Sequence, residues 1–373
     1  MTDQPYQMCV RCIMDTSDPE ITFDEDGVCS HCHTFDDSVG KTWLPNEEGR
    51  KILDGMIAEI KKAGQGKEYD CALGLSGGVD SSYLAYLAVK DFGLRPLAVH
   101  VDGGWNSPEA VRNIENIVKA LDIDLFTYVI DWEEMRDLQA AFLKAGVANQ
   151  DTPQDHAFFA KLFEFAVKND IKYVLSGHNI ATESVLPTAW GYNPRDDRQI
   201  KGIHKRFGTG KLKTFPIASI FKYFIYFPHI KGMKVLNPLN YVPYDKAKAM
   251  DVLKSELGWR YYGGKHFESR FTKFFQAYWL PEKFGFDKRR AHLSSLILSG
   301  QISRGEALAE IEKPAYPPEQ FEEDKEFIRK KLGFGAEEFE ALMKAPTHSH
   351  LEYPSYIWLV NLRRQIRRWR NGE

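Results

Sequence analysis

Ser76-Gly77-Gly78-Val79-Asp80-Ser81-Ser82 links a run that reads as a buried strand, Tyr69 to Leu75, to one that reads as a helix, Ser81 to Asp91. Adjacent glycines let the backbone turn sharply and approach a ligand closely. The unpaired amides of the loop and of the helix N-terminus converge on the same point, which makes the loop an anion cradle suited to phosphate. The segment is not a Walker loop, because no Gly-Lys-Ser/Thr ending follows.

The alternation continues beyond this loop. Pro96 to Val101 reads as a strand, Pro108 to Leu121 as a helix and Leu125 to Ile130 as a strand. His156 to Lys168 is helical, Lys172 to Ser176 a strand, Lys234 to Leu239 a last strand and Lys246 to Leu257 a helix. Such a sequence predicts an α/β fold, a doubly wound parallel sheet with helices on both faces. Ligands of these sheets bind beyond the carboxyl ends of the strands. An amphipathic helix from Asn46 to Lys62 leads in, and from about Lys265 the strand pattern gives way to helices. We divide the chain into an N-terminal metal module (1–45), an α/β domain (46–264) and a helical C-terminal region (265–373).

The metal module rests on Cys9-x2-Cys12 and Cys29-x2-Cys32, two knuckles that can set four thiolates around one ion. Closed four-thiolate sites are structural and favour Zn2+, with an iron–sulfur cluster as the rival. His31 and His33 read as solvated loop residues, and Cys71, within the first strand, as a buried inert thiol.

Composition limits the partners. Lys and Arg number 49 against 52 Asp and Glu, a net charge of -3, so no overall positive field draws the chain to nucleic acid. The basic run Leu362 to Arg370 is a local exception. The N-terminus lacks a signal-peptide core, and Ile217 to Phe227 is broken by Lys222 and too short to span a membrane, so a cytoplasmic protein is expected.

Ser-Gly-Gly-x-Asp-Ser resembles the signature of the PP-loop ATP pyrophosphatases, which bind ATP and cleave between its α and β phosphates. The resemblance implies nucleotide contacts from Ser76, Gly77, Gly78, Val79, Asp80, Ser81 and Ser82. It also implies an adenine seat at Val101 and Asp102, although Asp102 reads equally as an exposed loop acid. Ser176-Gly177-His178-Asn179, with Glu183 one helical turn beyond Asn179, resembles the run that relatives carry near nucleotide and metal. Asp80 and Glu183 are the candidates for sharing Mg2+ with the phosphates, against the plainer reading of Glu183 as a surface acid. Asn237-Pro238-Leu239 with Lys246 resembles the element that ends the PP-loop core.

Three longer runs, Cys9 to Pro19, Gly264 to Phe275 and Asp287 to Gly300, together resemble the N-acetyl-sugar amidotransferases of bacterial surface-polysaccharide (O-antigen) biosynthesis. The resemblance implies conversion of an acetamido group on a nucleotide-linked sugar into an acetamidino group, with ATP and ammonia. It implies a glutaminase subunit as ammonia source, with a cyclase-like channel subunit, because no glutaminase nucleophile is evident here. Lys265, Glu268 and Arg270 are read as phosphate- and amide-handling residues, or else as a surface ion-pair cluster. In Trp190-Gly191-Tyr192-Asn193-Pro194-Arg195-Asp196-Asp197-Arg198 an aromatic ring suits stacking on a sugar or uracil, and Asn193, Asp196 and Arg198 suit hydroxyls or diphosphate, with an exposed polar loop as the competing reading. The alternatives are a tRNA-modifying thiolase, which needs spare cysteines and an RNA surface, and a non-catalytic nucleotide-sensing scaffold.

Overall fold

Strands β1 (Cys71–Gly74), β2 (Pro96–Asp102), β3 (Leu125–Val129), β4 (Tyr173–Leu175) and β5 (Lys234–Leu236) form one all-parallel sheet in the order β3-β2-β1-β4-β5. The computed structural model describes residues 5–359 together with Leu362 and Gln365. Apart from those two, the basic run Leu362 to Arg370 lies outside the described residues.

Period-two alternation divides the strand side chains between two cores. Cys71, Leu73, Ala98, Tyr173 and Leu175 face the helices Glu47–Ala63, Val79–Lys90, Pro108–Leu121 and Lys246–Leu257. Ala72, Leu97, Val99, Val101 and Val174 face Trp132–Ala145 and Thr152–Lys168. Phe271, Phe274, Phe275 and Trp279 join this second core, so the C-terminal helices are continuous with the α/β layers. Cys71 is fully buried in the first core, and burial pushes its thiol up.

Local signals set several boundaries. Pro108–Leu121 starts on Ser107, whose side chain accepts from Ala110 N, and stops at Asp122 in the left-handed region. Lys246–Leu257 starts on Asp245 and ends at Gly258 in the same conformation. β5 is shorter than expected, because Asn237-Pro238 turns the chain into a short 3-10 segment, Pro238–Tyr241. The expected helix beginning at His156 in fact starts at Thr152, with proline in its first turn. No helix among the described residues is long and apolar enough to cross a membrane.

The strand order turns outward in both directions from β1. The carboxyl ends of β1 and β4 therefore flank a topological switch point, where connections diverge and leave a crevice. Two of the motifs singled out above, Ser76–Ser82 after β1 and Ser176–Glu183 after β4, open onto it.

Candidate functional site

The glycine loop is held open by geometry that other residues would spoil. Gly77 has φ +80°, and a Cβ there would stand 2.7 Å from Ala110 O. Trp259 Nε1 donates to Gly77 O at 2.9 Å, fixing the loop from below. A Cβ on Gly78 would meet Glu268 Oε1 at 3.0 Å, Ser76 Oγ at 3.2 Å and Tyr262 Oη at 3.3 Å. Bare backbone thus faces a polar wall, the arrangement a phosphate needs. Ser81 Oγ bonds inside the loop to Gly78 O at 3.2 Å and lies 3.2 Å from Ser76 Oγ. Ser82 is buried, and its hydroxyl has no partner among the described residues.

Asp80, on the first turn of the following helix, accepts from Tyr244 Oη. Lys265 Nζ lies 2.9 Å from Glu183 Oε1 and 3.7 Å from Asp80 Oδ2, so one buried cation joins acids from the β1 and β4 loops. His178 Nδ1 lies 2.6 Å from Glu183 Oε2. Burial works against the Glu183 carboxylate, but Lys265 and His178 hold it well below the usual range. That hydrogen bond to Glu183 raises His178. Burial also opposes the Lys265 ammonium, yet Glu183 and Asp80 raise it. Asn179 is fully buried and caps its own short helix through Thr182 N at 2.9 Å. Gly177 lets the β4 loop pass tightly over the Asp80–Ser81 peptide, where a Cβ would have 3.2 Å contacts.

The remaining expected residues divide. Glu268 lies against Gly78, and its Oε2 has no hydrogen-bond partner among the described residues. Burial opposes its charge, while His266 and Lys265 keep it below the usual carboxylate range. Val101 is buried at the end of β2, and Asp102 Oδ1 accepts from Gly104 N at 2.7 Å. Arg270 turns to Asp324, with Nε 2.9 Å from Oδ1, and its guanidinium lies 3.9 Å over the Phe327 ring. It is occupied by a structural ion pair.

The Trp190–Arg198 run is likewise tied down. Trp190 is buried and stacks on Phe286, away from solvent. Asp196 is 3% exposed; its Oδ1 accepts from Arg198 N and Gln199 N, and its Oδ2 from Tyr356 N. Tyr192 donates to Asp196 and stacks on His350, Asn193 Oδ1 accepts from Arg195 N, and Arg198 lies over Tyr356.

Tyr244, Tyr262, Lys288, His266 and His292 were missed. Each is distant in sequence from the glycine loop and reaches the crevice through tertiary packing. Tyr244 stands two residues before Lys246, while His266, Lys288 and His292 lie inside the runs Gly264 to Phe275 and Asp287 to Gly300, so their neighbourhoods were visible but not their roles.

The four cysteines of the knuckles are fully buried, with Sγ atoms all within 4.8 Å of one another. Cys9–Cys32 and Cys29–Cys32 stand at 3.7 Å and Cys12–Cys29 at 3.6 Å. Thiolates about 2.3 Å from one ion at tetrahedral angles stand about 3.8 Å apart, so the set is compatible with Zn2+. His31 and His33 pair with Asp18 and Asp24 instead. The module docks on the helix Lys288–Leu298, where Ser294 Oγ accepts from Ile13 N, and on the start of the next helix, Arg304–Ile311, where Arg304 donates to Cys12 O at 3.0 Å. The same helix bonds the β4 loop through Ser295 Oγ to Val185 N and Ser299 Oγ to Ala181 O.

Comparison with known proteins matches residues 50–218 to the NAD synthase family and residues 268–367 to the C-terminal domain of WbpG-like LPS biosynthesis proteins. An uncharacterized protein of Methanocaldococcus jannaschii is 24% identical over 310 residues, 81% of this chain and 92% of that one. The glutamine-hydrolyzing GMP synthase of Pyrobaculum aerophilum is 28% identical over 145 residues, 37% of this chain and 26% of its own. Among solved structures, the NH3-dependent NAD synthetase of Campylobacter jejuni aligns over 56% of this chain and 83% of its own, at 18% identity and TM-score 0.30. A predicted subunit of tRNA methyltransferase from M. jannaschii aligns over 50% and 75%, at 15% identity and TM-score 0.28.

Proposed function

The chain is a WbpG-like member of the PP-loop ATP pyrophosphatases, and from that premise we propose that it converts an acetamido group of a nucleotide-linked sugar into an acetamidino group. The observation that carries the reading is the convergence of the Gly77-Gly78 cradle, Asp80, Glu183, Lys265 and Glu268 at one switch point. An amide carbonyl is a poor electrophile with no leaving oxygen. Transfer of AMP to that oxygen gives an imidate, whose carbon accepts ammonia while AMP departs. The protein needs to align the triphosphate with the amide oxygen and to neutralise charge as pyrophosphate leaves, which are tasks of positioning and electrostatics.

In this reading the backbone amides of Ser76–Ser82 hold the phosphates, and Lys265 meets the charge that grows on them. Asp80 and Glu183 are oxygen donors of the kind Mg2+ takes, and the ion would supply charge neutralisation at the phosphates. Glu268, against the loop, orients the amide. The four-cysteine module is structural, its ion closed to substrate by four thiolates. Ammonia comes from a glutaminase subunit.

The test is mass spectrometry of acetamido-sugar nucleotides incubated with ATP, Mg2+ and 15N-ammonium. The expected product has exchanged one oxygen for a labelled NH, with one AMP formed per product. Absence of both across a broad panel rejects the reading. Glutamine should replace ammonium only when the partner is added.

A further inference from the structure

A second group of buried and half-buried charges borders the switch point and has no part in the steps above. The helix Thr152–Lys168 begins on the same rim as the glycine loop, because it leads into the amino end of β4 and Gln154 packs on Gly103 just beyond β2. Asp151 precedes its first residue and Asp155 lies one turn on, so both carboxylates share a face. Asp151 does not cap this helix. Its backbone is already helical, at φ -84° and ψ -5°, and its side chain takes no bond from the first turn. Oδ1 has no hydrogen-bond partner among the described residues, although the residue is only 6% exposed. An unpaired buried carboxylate oxygen is costly, and it points to something the site receives.

The surroundings fit a small cation that must lose a proton. Lys288, the first residue of its helix, lies in the field of Asp151, Asp155 and Glu183 and so connects this pair to the Lys265–Glu183 cluster. Thr272 hydrogen-bonds the Asp151 side chain, Glu268 adds its charge to the field at Asp151, and His266 does so at Asp155. Glu268 Oε2 is likewise unpartnered. Burial, with Asp155 close by, pushes Asp151 up to about 8, and burial pushes Asp155 up to about 6 against Lys288 and His266. Burial lowers Lys288. The pair can therefore take up and release a proton near neutrality.

We propose that Asp151 and Asp155, between Lys288 and Glu268, form the subsite that receives ammonium and removes its proton before attack. The proposal rests on the amidotransferase reading. The ammonium proton passes to the ionised carboxylate of the pair. The freed lone pair forms the new C–N bond at the imidate carbon, and one ammonia proton moves to the imidate nitrogen. The C–O bond to AMP then breaks, with its electron pair leaving on the phosphate oxygen. The product is an amidinium, AMP departs as its dianion, and the amide proton lost on adenylylation leaves with pyrophosphate.

Two measurements test this in the full chain. In the first, 15N-ammonium is titrated onto the protein without nucleotide, and its NMR line should broaden saturably. Asp151→Asn and Asp155→Asn, which mimic the protonated form and so should fold, should each weaken this binding by about tenfold or more, the worth of one charged hydrogen bond. Wild-type affinity in both variants overturns the subsite. In the second, sugar-dependent pyrophosphate release should stay within about twofold of wild type in both variants while the KM for ammonium rises by about tenfold or more. A parallel fall in pyrophosphate release overturns it, since the pair would then serve adenylylation or the fold. Wild-type protein that releases no sugar-dependent pyrophosphate rejects the amidotransferase reading, while the binding titration still decides the subsite.

Discussion

Lys265 reaches Glu183 at 2.9 Å with Asp80 3.7 Å away, and its side chain is only 11% exposed. This lysine comes from the chain after the last strand, whereas the acids come from the β1 and β4 loops, so three separate segments are joined by one charge. Lys265→Met should leave the Asp80 and Glu183 carboxylates with only His178, on Glu183, as a paired cation. We expect a stability loss of about 3–5 kcal/mol in urea denaturation. Pyrophosphate release at saturating ATP should fall on the order of 10²-fold or more. Wild-type turnover in this variant removes Lys265 from the chemistry.

Arg270 illustrates a residue whose sequence neighbours mislead. It lies two positions from Glu268, yet Asp324 gathers Arg270, Lys273 Nζ at 3.0 Å and Tyr316 Oη at 2.6 Å into one buried cluster. Asp324→Ala should therefore destabilise the chain by about 3–5 kcal/mol, leaving Lys273 without an acid and Arg270 with only the exposed Glu323. Arg270→Ala should lower stability in the same sense while the KM for ATP and sugar nucleotide stays unchanged. A selective rise in the sugar KM at unaltered stability would return Arg270 to the substrate.

The chain's regular elements were legible wherever local signals agreed. Pro108–Leu121 and Lys246–Leu257 match the expected limits at both ends, because Ser107 and Asp245 cap them at one end and Asp122 and Gly258 stop them at the other. The glycine loop was legible for the same reason. The helix Trp132–Ala145 was passed over, although Met135, Leu138 and Phe142 carry the helical spacing and are all buried. Starting the next helix at His156 also left Asp151 and Asp155 in an unread loop and hid their common face. Partners such as Tyr244 for Asp80 or Asp324 for Arg270 depend on tertiary contacts of long sequence separation, which periodicity does not encode.

The metal module should be separable from the chemistry in its ligands but not in its support. Cys12→Ser is expected to lose one equivalent of zinc by elemental analysis, and with it a binding free energy on the order of 10 kcal/mol. The helix Lys288–Leu298 touches both Ile13 and the β4 loop, so ATP turnover should fall as well. Cys71→Ala should keep the metal and the turnover, since that thiol lies in the strand core with no polar partner in the mechanism. Metal loss in Cys71→Ala contradicts the assignment of ligands.

The pair Asp151 and Asp155 should leave a mark on stability as a function of pH. Both carboxyls are raised in the folded chain by burial, to about 8 and about 6, against an ordinary aspartate value near 4 in the unfolded chain. Between these limits the folded state binds more protons than the unfolded one, so stability must fall as pH rises. The loss begins just above the unfolded value, continues through neutrality and levels off above the folded value of Asp151. Asp151→Asn carries no titrating proton at this position, and its stability should fall less steeply across the same window. Urea denaturation from pH 5 to 9 measures both slopes. Equal slopes in variant and wild type would mean that Asp151 stays ionised in its buried position.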